Sequence, residues 1–157
     1  MEDKKAILEI LLPKAVLKAM TPEAERAVAD GMIKSGLISI RQFPFSVGRE
    51  SRGELLAGEF LRTERPRSFN REPHNNLYLV DSGPQKQISR EHFRIESTQQ
   101  GYQLVDRGSA SGTAVGSIRV GGDETGGSIQ LKDGDIIGVG AEGTPYVYAF
   151  VADLAGR

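Results

Sequence analysis

From Leu77 onward the sequence breaks into short apolar runs with a period of two, each closed by glycine, serine, aspartate or proline. Leu77 to Val80, His92 to Glu96, Tyr102 to Val105, Thr113 to Val115, Ile118 to Val120, Ser128 to Leu131, Asp135 to Val139 and Tyr146 to Val151 all read this way. Strand signals at such close and even spacing predict an all-β fold, an antiparallel β-sandwich. Nineteen glycines and an aromatic share of 6% agree, since many tight turns require residues that reach positive φ. Gly121-Gly122-Asp123 and Gly126-Gly127 supply turn chemistry of that kind. In the last run Tyr146, Tyr148 and Phe150 alternate with Val147, Ala149 and Val151, which predicts a strand covered on both faces.

Upstream, the same period starts at Leu37 with Ile38 and Ile40, then resumes at Phe43, Phe45 and Val47 after a one-residue shift near Gln42. The shift reads as a bulge or a turn between paired strands, and Pro44 favours an edge position. Residues 50–75 show little period of either kind and form a long irregular stretch rich in arginine and glutamate. That stretch, an insertion by the family resemblance given below, is expected to be a solvated loop, with a short helix at 54–62, or a surface for a partner. Before Leu37 the pattern is helical. Ile7, Leu8, Leu11, Leu12, Val16 and Leu17 suit an amphipathic helix over residues 4–20, restarted at Pro13. A second helix begins with Thr21 as N-cap and Pro22 as first helical residue, buries Ala24, Ala27, Val28 and Met32, and stops at Gly36. The expected organisation is therefore a short helical N-terminal extension, residues 1–36, and a sandwich over 37–157 carrying the insertion 50–75.

At 157 residues the chain suffices for one ordinary domain with a short extension. Its net charge of -1 gives no electrostatic argument for nucleic acid as a partner. It has no cysteine, which excludes disulfides and thiolate metal sites and is compatible with a reducing compartment. No apolar run approaches the ~20 residues that span a bilayer, and Glu2, Asp3 and Pro13 spoil a secretory leader. A soluble cytoplasmic protein without a membrane role is the expectation.

Two arginines and a serine carry the chemistry. The planar forks of Arg49 and Arg90 suit phosphate oxygens, and Ser89 adds a hydroxyl donor, so together they can hold a dianion. Taken singly, each arginine is as well explained by a surface pair with Glu50 or Glu91. His92 lacks partners for a metal set, the only other histidine being His74.

Gly48-Arg49, Asn76-Leu77-Tyr78-Leu79, Ser89-Arg90-Glu91-His92, Asp106 with Ser109 to Thr113, and Leu131-Lys132-Asp133-Gly134-Asp135-Ile136 with Gly138 follow one another in a familiar order. Over residues 37–152 the chain resembles a forkhead-associated (FHA) domain. The resemblance implies that Arg49 and Ser89 are the primary ligands of a phosphothreonine phosphate, with Arg90 assisting. It implies that Ser111 and Thr113 face the bound peptide, and that Gly48, His92 and Gly112 are scaffold. The chain departs from the family at Ser111, where asparagine normally grips the peptide backbone, and at Gly116, where a second asparagine shapes a turn. A serine hydroxyl is shorter, which predicts altered peptide recognition with the phosphate site retained.

The resemblance implies a phosphothreonine-peptide-binding adaptor in serine/threonine kinase signalling, with no cofactor and no catalytic or metal residues. The alternative is a phosphate-independent interaction or dimerisation module on the same scaffold, self-associating through its N-terminal helices. An enzyme is the least supported class, because no nucleotide loop, serine elbow, zinc-helix motif or cysteine nucleophile is present. Thr21, flanked by Glu23 and Glu25, raises the idea of a phosphorylated N-terminus occupying the chain's own site; helix capping is the simpler role.

Overall fold

The computed structural model describes residues 2–50 and 74–154. Its strands are β1 (Ala15–Ala19), β2 (Leu37–Ile40), β3 (Phe45–Arg49), β4 (Leu77–Leu79), β5 (Phe93–Thr98), β6 (Gly101–Asp106), β7 (Thr113–Val115), β8 (Ile118–Val120), β9 (Gly127–Leu131), β10 (Ile136–Val139) and β11 (Val147–Val151). Two helices, α1 (Glu2–Leu11) and α2 (Pro22–Arg26), precede most of them. One sheet has the order β2-β1-β11-β10-β7-β8 and the other β4-β3-β5-β6-β9. Each of the runs predicted downstream of Leu77 is a strand. Their apolar residues meet in one core, where Phe150 packs edge-on to Tyr102 at 5.2 Å and Tyr102 packs against Phe43 at 5.5 Å. Burying a side chain such as Phe150 stabilises the fold by about 1.5–3 kcal/mol. β11 has Tyr148, Ala149 and Phe150 buried, while Val147 and Val151 keep partial exposure, so its second face is only half covered.

The N-terminal segment differs from the expected pair of helices. α1 ends at Leu11, before Pro13, and the chain then enters β1 between β2 and β11. Ala15 and Leu17 are buried and Lys18 is exposed, a period of two that tertiary pairing favours over the helical reading of Val16 and Leu17. The sandwich therefore starts at Ala15 instead of 37, and residues 1–36 are not a helical extension as a whole. α2 is only five residues long: Thr21 caps it by accepting from the Ala24 N–H at 3.0 Å, and a short 3-10 turn follows at Asp30–Met32. Ala24, Ala27 and Val28 are buried as expected, whereas Met32 is exposed. The Tyr148 hydroxyl donates to the Ala24 carbonyl, and the Val80 N–H donates to the Ala27 carbonyl, so this segment ties β11 to β4. The Thr21 hydroxyl donates to the Pro145 carbonyl, which fits the capping role.

β2 and β3 do not pair. They lie in different sheets, and the shift near Gln42 is the passage between them, with a cis Phe43–Pro44 bond. Pro44 precedes an interior strand instead of occupying an edge, a place it tolerates because its missing N–H falls outside the ladder. β3 and β4 run parallel, so the sandwich is mixed instead of wholly antiparallel. Parallel neighbours cannot be joined by a hairpin, and the long connection from Arg49 to Leu77 meets that topological need. The helix expected at 54–62 lies outside the described residues.

Among the described residues no helix is long and apolar enough to cross a membrane. At one end of the sandwich stand the end of β3, the approach to β5 and the β6–β7 connection. At the other end an open groove of about 940 Å³ lies between Phe43, Pro44, Tyr102 and Leu154.

Candidate anion-binding loops

The three motifs meet at the first of these ends, and backbone hydrogen bonds splice them together. Arg49 leaves β3 with its N–H donating to the Ser89 carbonyl at 3.0 Å, and its Nη1 donates to the Ile88 carbonyl at 3.1 Å. Ser89 in turn accepts from the Ala110 N–H through its hydroxyl oxygen at 3.0 Å. A hydroxyl has one donor and two acceptor sites, so this bond leaves the Ser89 proton for another oxygen. Arg49, Ser89 and Arg90 are all half-buried.

Gly48 explains how the first two loops come so close. A Cβ on Gly48 would lie 1.9 Å from the Arg90 carbonyl oxygen and 2.6 Å from the Asn75 amide nitrogen. Only a residue without a side chain lets β3 pass under the Ser89–Glu91 loop. Asn75 secures that approach: its amide donates to the Arg90 carbonyl at 2.9 Å and its carbonyl oxygen accepts from Arg107 Nη1 at 2.6 Å. Arg107 also reaches the His74 carbonyl and pairs with Glu91 at 3.4 Å. Burial lowers its pKa and the Glu91 charge opposes the shift. Glu91, considered from sequence as a partner for Arg90, thus pairs with Arg107.

His92 is fully buried between the second and third loops. The Ser89 N–H donates to its Nδ1 at 3.0 Å, so that nitrogen carries no hydrogen, and Nε2 donates to the Gly112 carbonyl at 2.8 Å. Both ring atoms are satisfied by the neutral tautomer. Burial is the main cause that lowers its pKa below 6.5, against the Gly112 hydrogen bond and the charges of Asp106 and Asp81, which raise it. Gly112 itself sits at φ +89°, a backbone conformation that disfavours other residues.

Asp106, at the end of β6, organises the third loop. Its carboxylate accepts from the Gly108 N–H, the Ser109 N–H, the Ser109 hydroxyl and the Thr113 hydroxyl, at 2.6–3.0 Å. Ser109 then accepts from the Gly112 N–H at 2.9 Å. Such saturation is what a buried carboxylate needs. Thr113, expected to face a peptide, is fully buried with its hydroxyl committed to Asp106, so it braces the loop from below. Ser111 stays half-exposed at the tip.

Sequence reasoning brought Arg49, Ser89, Arg90, His92, Ser111 and Gly112 to one end of the fold, where the structure also has them. It missed Asn75, Arg107, Arg119 and Asp81. Asp81 is buried and accepts from the Gln87 and Ile88 N–H groups and the Tyr146 hydroxyl, fixing the approach to Ser89. Burial and the Asp81 charge push the Tyr146 phenol up. The Asp81-Ser82-Gly83-Pro84 run was the one local signal available, since aspartate before such residues commonly ties a turn.

A β-sandwich that carries cationic and hydroxyl side chains on spliced loops at one end defines a loop-borne recognition fold. Residues 67–140 match the family model for the FHA domain. β1 to β3, including Gly48-Arg49, precede the matched stretch and complete the same two sheets. No curated protein matches the chain. Among solved structures, full-length yeast Pml1p is similar with a TM-score of 0.50 at 16% identity, covering 95% of this chain and 91% of that one. The yeast Pml1 splicing factor, studied for its integration into the RES complex, gives a TM-score of 0.51 at 14% identity, with coverages of 95% and 89%. A structure from a study of phosphothreonine-dependent FHA domain interactions gives 0.49 at 22% identity, with coverages of 87% and 94%. The two Pml1 likenesses are likenesses of fold.

Proposed function

We propose that the chain binds phosphothreonine-containing peptides and serves as a non-enzymatic adaptor in serine/threonine kinase signalling in the cytoplasm. In this reading Arg49 and Ser89 hold the phosphate, Arg90 assists, and Ser111 faces the peptide backbone. The observation that carries it is the splice of Arg49, Ser89 and Ala110, which brings to one rim a permanent cation and a hydroxyl whose proton has no acceptor among the described residues. The family match supports the same reading. Bidentate guanidinium contacts and charge-assisted hydrogen bonds suit a dianion far better than a neutral threonine.

Fluorescence anisotropy with matched threonine and phosphothreonine peptide libraries tests it. Binding that requires the phosphate and weakens at least tenfold in Arg49→Ala and Ser89→Ala is the expected result, because hydrogen bonds to charged groups contribute roughly 1.5–3 kcal/mol. A folded protein that binds no phosphothreonine peptide better than its unphosphorylated match would overturn it.

A second reading has one observation in its favour. α1 leaves Ile7, Leu8, Ile10 and Leu11 more than half exposed, an apolar face that suits self-association. Deleting residues 1–12 tests this reading and spares β1. Loss of a dimer on deletion, with no phosphate-dependent binding in either form, would favour an interaction module.

A further inference from the structure

Arg119 stands beside the third loop with most of its hydrogen-bonding capacity unspent. It lies on β8, and one guanidinium nitrogen, Nη2, donates to both the Ser111 carbonyl at 3.1 Å and the Gly140 carbonyl at 2.5 Å. These two anchors come from different connections, β6–β7 and β10–β11, so the flat group is held in one place although the residue is exposed. Its Nη1 and Nε meet no acceptor among the described residues. A guanidinium carries five N–H donors and cannot lose its charge in a protein. Three of those donors therefore have no acceptor among the described residues, on an exposed side chain tied to Ser111 at the tip of the third loop.

The position is also close to the phosphate rim. The Ala110 N–H holds Ser89, Ser111 follows Ala110, and the Ser111 carbonyl holds Arg119. The Arg119 charge is felt at His92, the brace between Ser89 and Gly112. A peptide anchored by its phosphate at Arg49 and Ser89 and running over Ser111 would pass the exposed edge of Arg119. Ser111 has a short side chain and leaves that edge uncovered.

We propose that Arg119 is a specificity-determining residue that selects a carboxylate side chain flanking the phosphothreonine. A glutamate or aspartate would meet Nη1 and Nε in the fork geometry that a guanidinium offers to a carboxylate, while Nη2 keeps the fork aimed. Fixing the fork in advance lowers the ordering cost of the contact. This inference rests on the phosphothreonine reading and adds a second charge to what the ligand must carry.

The test uses phosphothreonine peptides in pairs that differ by glutamate or glutamine at one flanking position at a time, titrated against the full chain. The wild type should prefer glutamate about tenfold at one position, the scale of a charge-assisted contact. In Arg119→Gln that ratio should fall to near one, and Arg119→Lys should restore part of it. A wild type that requires the phosphate yet shows no glutamate preference at any position overturns this proposal and leaves the phosphothreonine reading intact. If Arg119→Gln weakens both peptides of every pair equally, Arg119 merely braces Ser111, and the proposal also fails. Absence of phosphate-dependent binding altogether defeats both readings together.

Discussion

His92→Ala removes a buried side chain that joins the second and third loops, and its cost can be worked from the structure. The substitution deletes two hydrogen bonds, from the Ser89 N–H at 3.0 Å and to the Gly112 carbonyl at 2.8 Å. Two backbone groups then lose their partner in a buried place, at roughly 1–3 kcal/mol each unless water enters. The ring also packs edge-on against Phe93 at 6.3 Å, so a cavity adds to the loss. A total of about 3–5 kcal/mol follows, a large share of the ~5–15 kcal/mol by which domains are stable. Urea unfolding at pH 7.5 should show it as a midpoint lowered by about 2 M, for a typical slope near 2 kcal/mol per molar. The difference should shrink on acidification. Burial holds the folded-state pKa of His92 below 6.5, so the unfolded chain takes up the proton first. The wild type therefore has its full His92 contribution above about pH 6.5 and loses it as pH falls from there through the folded value. The alanine variant has no such group and loses nothing by this route. A loss under 1 kcal/mol at pH 7.5, or a wild-type to variant gap that widens below pH 6.5, would refute the reasoning.

Other substitutions bear on separate parts of the site. Gly48→Ala places a methyl 1.9 Å from the Arg90 carbonyl, and since the obstacle is backbone, the Ser89–Glu91 loop must move; a stability loss of about 1–3 kcal/mol by thermal unfolding is expected, with weaker phosphopeptide binding. Thr113→Val keeps the shape of a buried residue but removes one donor to Asp106, and should cost about 1–3 kcal/mol in urea unfolding. Ser111→Asn supplies a longer side chain with a carboxamide at the tip of the third loop; binding of a phosphothreonine peptide should tighten by about 0.5–1.5 kcal/mol in calorimetry, one direct hydrogen bond.

The fold was readable from Leu37 onward because buried and exposed residues alternate, as Ile38 and Ile40 do against Leu37 and Ser39 in β2. β1 escaped because Val16 and Leu17 continue the three-and-four spacing of Ile7 to Leu12, and only pairing with β2 and β11 decides between helix and strand. The parallel β3–β4 pair escaped for a similar reason, since strand direction leaves no trace in the period. At the site, Arg49 and Ser89 were readable as ligand chemistry near glycine and turn residues. The braces were not. Arg107 and Asn75 are 32 residues apart, Tyr146 and Asp81 are 65 apart, and neither pair shows a local pattern. Thr113 was misplaced because a hydroxyl beside Gly112 looks the same in sequence whether it faces a ligand or Asp106.

The most direct test of the central claim is a two-dimensional amide NMR titration of the full chain with a phosphothreonine peptide and its unphosphorylated match. The account predicts saturable shifts that need the phosphate and concentrate on Arg49, Ser89, Arg90, Ala110 and Ser111, with Gly112 following through His92. Shifts confined to the opposite end, around Phe43, Tyr102 and Leu154, or equal responses to both peptides, would contradict it.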